Sequence, residues 1–172
     1  MKTIKLVSLL AFTLILSATT LQAQDKADRP SPPMTASATV SGSDITIDYS
    51  SPAVKGRKVW GDLVPYDKVW RTGANEATTF TTENAVTING EKLPAGKYAL
   101  FTIPGESEWT VILNSEWDQW GAYNYDESKD VMRFTVKPEK MKKSQERLDF
   151  SISEKGKVSM AWDHTQIAFN VK

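Results

Sequence analysis

The 172-residue chain contains no cysteine. That absence excludes disulfide staples in an oxidising compartment, a lipid joined to a cleaved N-terminal cysteine, and a thiol nucleophile. The domain must therefore hold together by packing. His164 is the single histidine, so one chain cannot assemble a multi-histidine zinc or copper site. Within Asp163-His164-Thr165 it reads as a turn residue. Neither sign of charge is in excess, with 21 basic against 21 acidic side chains. A chain so balanced lacks the basic surface that nucleic acid or anionic lipid requires, and neither is expected as a partner. No internal repeat and no long helical periodicity emerge.

Motifs with a known reaction mechanism are missing as well. Residues 105–109, Gly-Glu-Ser-Glu-Trp, lack the second glycine of a nucleophile elbow and fall in a β-turn context. Residues 126–130, Asp-Glu-Ser-Lys-Asp, place oxygen ligands at alternate positions like the start of a calcium loop. Val131 then stands where that loop needs glycine and Lys137 where it needs glutamate, so no metal and no cofactor are expected.

What is present begins with an export signal. Lys2 and Lys5 make a short basic start, residues 6–16 form an apolar run too short to span a bilayer stably, and Leu21-Gln22-Ala23 is a cleavage site before Gln24. Export predicts a periplasmic or secreted protein with no membrane span after cleavage. Removing the first 23 of 172 residues takes Lys2 and Lys5 with them, which leaves 149 residues with 19 bases and 21 acids. That length suits one domain burying about two thirds of its unfolded surface. Residues 24–33 are charged and then proline-rich, an extended lead-in, and residues 34–172 form the domain.

The domain reads as β throughout. Ile45, Ile47 and Tyr49 alternate with Thr46 and Asp48, and the turn at residues 41–44 makes this an early hairpin. Residues 54–63 form a connection. Asn89-Gly90 is a strong hairpin signal, since both residues tolerate positive φ. Residues 98–103 and 109–113 are apolar on both faces, as in strands central to a two-layer structure. Residues 131–136 alternate, residues 138–145 read as a lysine-rich loop, and three short strands around Phe150, Met160 and Phe169 close the chain, with Gly156 and Asp163-His164 as turns. About nine to eleven strands without a long helix predict an all-β, antiparallel two-sheet sandwich, jelly-roll or immunoglobulin-like. Leu93 to Tyr98 resembles a tyrosine corner, in which the phenol reaches back to a backbone group, although an ordinary turn before a core tyrosine has the same composition.

The densest unusual chemistry lies in residues 60–80, WGDLVPYDKVWRTGANEATTF, and in the long connection 114–130. Arg71, Asn75 and Glu76 form one polar group, readable as a ligand clamp or as an ion pair pinning the loop. Trp117, Trp120, Tyr123 and Tyr125 stand among Glu116, Asp118, Asp126, Glu127 and Asp130. Aromatic faces flanked by carboxylates suit a carbohydrate, and the same rings could instead cap an open end of the sandwich. The two segments are expected to converge on one concave face, lined by Arg71 and Trp120. The leading expectation is a non-catalytic module binding a small molecule or glycan. The alternatives are a small hydrolase using Glu76 or a loop carboxylate, and a structural or assembly partner.

Tyr49-Ser50-Ser51-Pro52, Lys55-Gly56-Arg57, Leu63-Val64-Pro65-Tyr66, residues 70–78 (WRTGANEAT), residues 93–98 (LPAGKY) and Trp120-Gly121-Ala122-Tyr123 together resemble the DUF2911 family. The resemblance runs from about Pro30 to the C-terminus. It implies the fold above and an exported setting in Bacteroidetes, and it transfers no catalytic residue. Where the family has glycine after Pro-Tyr this chain has Asp67, so that turn is expected to form without a residue at positive φ.

Overall fold

The computed structural model describes residues 28–172. The export signal, its cleavage site at Ala23 and Gln24, and the first part of the lead-in lie outside those residues. The described chain is all-β, an antiparallel sandwich of ten strands. They are β1 (Pro33–Val40), β2 (Ser43–Ser50), β3 (Thr79–Thr82), β4 (Val86–Ile88), β5 (Glu91–Leu93), β6 (Gly96–Ile103), β7 (Trp109–Asn114), β8 (Asp130–Val136), β9 (Glu139–Ile152) and β10 (Lys157–Asn170).

Six strands form one sheet in the order β1-β2-β3-β6-β7-β8. The long β9–β10 hairpin opposes it. The small β4–β5 hairpin continues that second layer through paired bonds between Thr87 and Lys172, N–H to O at 2.7 and 2.9 Å. Side-chain alternation decides what lies between the layers. Ile45, Ile47, Phe80, Leu100, Val111 and Leu113 point inward from the large sheet and meet Leu148, Phe150, Val158, Met160 and Trp162 from the hairpin. Trp60, Trp70, Trp109 and Trp162 join there, with edge-on contacts and one stacked pair, Trp70 on Trp162 at 5.8 Å.

The outer face of the large sheet is partly covered too. Ala99, Phe101 and Ile112 are fully buried on that side, with Val69, Ala122 and Tyr125 packed over them. This is why β6 and β7 read as apolar on both faces.

The Asn89-Gly90 turn forms as expected, and of the two readings of residues 93–98 the tyrosine corner is the one seen. Asn89 and Gly90 adopt φ of 50° and 94° and join β4 to β5. The Tyr98 hydroxyl donates to Pro94 O at 3.0 Å, the back-reaching bond of a tyrosine corner.

Three expectations are corrected. Residues 138–145 are not a loop: Glu139 starts β9, and its lysines lie in solvent on a two-stranded ribbon where no apolar alternation is needed. Asp163-His164 is not a turn between strands, because β10 runs unbroken and absorbs a register shift there, with Asp163 at φ 51°. Such a bulge takes a residue in the left-handed region without ending the strand. Asp67 itself supplies the positive φ, at 56°, in place of glycine. Its short polar side chain tolerates that region, and its N–H is tied to Pro104 O at 2.8 Å.

Candidate functional site

The segment after Trp70 is fixed from below. Trp70 and Thr102 exchange both backbone hydrogen bonds, at 2.7 and 2.9 Å, which sends the indole into the core and the neighbouring side chains outward. Thr72 then adopts φ 54° although it is β-branched and fully buried. Residues so held are strained and persist only when their surroundings over-determine them. Here the Thr72 hydroxyl bonds to Thr102 Oγ1 at 3.1 Å, and Thr78 Oγ1 donates to Thr72 O at 2.9 Å. Gly73 passes against backbone, for a Cβ there would stand 3.0 Å from Ser50 O and 2.9 Å from Thr78 Oγ1. Asn75, also left-handed at 58°, turns the chain again, and its amide donates to Ser31 O at 3.1 Å.

The second segment, residues 115–129, folds back onto the first. Glu76 pairs with Trp120 as an isolated bridge, flanked by Ala77 N–H to Gln119 O and Gly121 N–H to Asn75 O, both at 3.0 Å. The expected convergence of the two loops is therefore seen. Between Gln119 on one side and the lead-in with β1 on the other, an open cleft of about 340 Å³ lies over the outer face of β2, β3 and β6. Asp48, Thr79 and Lys97 rise from the strands, Arg29 and Met34 come from the N-terminal side, and Glu76, Trp117, Asp118 and Gln119 come from the two loops.

Arg29 closes one end. Its Nη1 donates to both oxygens of Glu76, at 2.9 and 2.8 Å, and the guanidinium lies 5.8 Å from the Trp120 ring. Lys97 Nζ stands 4.5 Å over the Trp117 ring. Thr79 Oγ1 and Gln119 Oε1 are buried without a hydrogen-bond partner among the described residues, which is uncommon for buried polar atoms.

Of the residues singled out by sequence, Glu76, Trp117 and Asp118 line this cleft. Asn75 anchors the lead-in, and Trp120 lies under Arg29. Arg71 is beside Gly121 rather than in the cleft, so the expected lining by Arg71 and Trp120 is not what the chain builds. Tyr123 is 81% exposed. Tyr125 is a packing residue: its ring meets Phe101 at 5.3 Å and its hydroxyl donates to Asp130 Oδ2 at 2.6 Å. Burial, and then that bond to a carboxylate, raise the Tyr125 phenol well above the usual tyrosine value. Hydrogen bonds from Ser128 lower Asp126.

Sequence reasoning missed Arg29, Asp48, Thr79 and Lys97. The strand residues were legible only as outward positions of alternating strands, and nothing local marks Arg29, whose partner is 47 residues away. Among the described residues no three His, Cys, Asp or Glu side chains are grouped to hold a metal, and no helix is long and apolar enough to cross a membrane.

Fold and cleft together define a β-sandwich with a depression on the outside of its larger sheet, walled by Trp117 and lined by both charged and apolar side chains. The chain belongs to the DUF2911 family, described as a protein of unknown function, which it matches over residues 31–171. No curated protein and no solved structure matches it.

Proposed function

We propose that the protein is a non-catalytic binding module whose ligand is a polyhydroxylated molecule of the glycan type, seated in the cleft between Arg29 and Trp117. The observation that carries this reading is the lining itself. One exposed tryptophan stands beside three carboxylates (Asp48, Glu76, Asp118), two cations and two buried polar atoms that lack partners among the described residues. An indole face packs on the C–H face of a sugar ring, while the carboxylates accept from its hydroxyls. A ligand hydroxyl reaching Thr79 or Gln119 would satisfy an atom that burial otherwise leaves unpaired. The Arg29 guanidinium holds Glu76 as a charge-assisted acceptor, which suits binding better than the proton donation a hydrolase would ask of it.

The test is a panel of oligosaccharides assayed by calorimetry and for hydrolysis. Binding without turnover is expected. Trp117→Ala should weaken it at least about tenfold, roughly 1.4 kcal/mol, with little change in melting temperature because that ring is 41% exposed. Turnover abolished by Glu76→Gln would replace the binding reading with the hydrolase.

A further inference from the structure

Arg71 is unlike the other arginines of the chain. Arg29 holds Glu76, Arg133 holds Glu127 and Asp130, and Arg57 and Arg147 donate to backbone carbonyls. The Arg71 side chain makes no hydrogen bond or ion pair among the described residues, and its Nε is buried. Bulk water does not reach a donor so placed, and a partly buried guanidinium with an unmatched N–H is costly to keep. The nearest carboxylate in sequence, Glu76, is engaged by Arg29.

The backbone at residue 121 packs directly against this group. Residue 121 is glycine at φ 69°, and a Cβ there would stand 3.1 Å from Arg71 Nη1 and 3.0 Å from the Tyr123 ring. Arg71 and the exposed Tyr123 thus meet over the same glycine. A planar, permanently charged fork matches the geometry of carboxylate, sulfate and phosphate, and an ammonium would not replace it. From the Arg71 guanidinium, unpaired among the described residues, and the Tyr123 ring that meets it over the closely packed Gly121, we propose a receptor for an oxyanion. It lies on the Gly121 side of the Glu76–Trp120 bridge, whereas the cleft lies on the Gln119 side. A ligand that fills the cleft and carries an acidic substituent reaches both, and to that extent the inference rests on the binding reading above.

The experiment follows the Arg71 side chain directly. The full mature protein is labelled with ¹⁵N-arginine, the Arg71 Nε–H signal is assigned by its loss in Arg71→Lys, and galacturonate, galactose and inorganic phosphate are titrated separately. A saturable shift with galacturonate, at least about tenfold tighter than with galactose, is expected. A shift of equal affinity with phosphate would support the oxyanion receptor and identify its occupant as a free anion rather than a sugar acid. Absence of a saturable shift with both anions overturns the proposal, even if neutral sugars still bind in a Trp117-dependent manner. Conversely, an anion-dependent Arg71 shift in a protein that binds no neutral sugar, and whose response survives Trp117→Ala, keeps the receptor and removes the cleft reading.

Discussion

Backbone conformation at single residues carries much of what is unusual here. Thr72, Asn75 and Asp67 all occupy the left-handed region without being glycine. Thr72 and Asn75 are held by hydrogen bonds that need them there, whereas the exposed Asp67 side chain makes none among the described residues. Relieving its backbone strain should help. Asp67→Gly is expected to raise stability by about 0.5–1 kcal/mol, the steric gain being partly offset by a freer unfolded chain. Asp67→Ala, which adds no flexibility and tolerates positive φ less well, should lower it by about as much. Urea midpoints at unchanged slope measure both, and a loss with glycine would show that the aspartate side chain contributes more than its conformation costs.

Among the elements, the β9–β10 hairpin is the one on which the second layer depends. Its turn brings Gly156 against the C-terminal strand, where Val171 N–H donates to Gly156 O at 2.8 Å. A Cβ at 156 would overlap Val171 O and press on Val40 Cγ1 at 3.0 Å, so backbone must move to admit it. Gly156→Ala should therefore cost on the order of 3 kcal/mol, roughly 6–12 °C of melting temperature. Gly42→Ala is the control, because Gly42 has a similar φ of 82° but open space around it, and it should lose only about 1 kcal/mol. Equal losses in calorimetry would mean that conformation, not overlap, makes residue 156 glycine. The Pro94–Tyr98 bond and the Asn89-Gly90 turn show the opposite situation, elements whose local sequence already specifies their geometry.

Across the whole molecule, two buried tyrosines and the half-buried Tyr125 tie its parts together. Tyr49 of β2 donates to Asp149 at 3.1 Å and accepts from Phe150 N–H at 3.2 Å, joining the two layers. Tyr98 fastens the corner before β6, and Tyr125 fastens the long loop to Asp130. All three phenols are raised above the ordinary value, chiefly by burial, and Tyr49 is pushed up to about 12. The neutral form is thus favoured in the folded state. Its contribution is complete below the unfolded value of about 10 and is lost as pH rises through the folded one. Stability should fall steeply between about pH 10 and 12. Tyr49→Phe should flatten that fall while costing about 1 kcal/mol at neutral pH through the lost hydrogen bonds. Denaturation midpoints across alkaline pH would show it, and an unchanged slope in the variant would assign the fall to other groups.

Features that rest on neighbours in the chain are legible along it. Period-two alternation marked β2, β8 and the apolar parts of β9 and β10, Asn89-Gly90 set a hairpin, and the polar-aromatic density of residues 70–76 and 117–125 pointed to the loops that do meet. What those loops enclose depends instead on contacts between distant segments. Arg29 reaches Glu76, Lys97 stands over Trp117, and Arg71 meets no carboxylate among the described residues, because sheet order and two left-handed turns bring distant residues together. Even the lysine-rich start of β9 became strand through its pairing with β10, a bond to a distant segment that no local composition encodes. Short-range sterics and periodicity act along the chain and can be read from it, whereas a site is set by which side chains the packed layers bring into contact.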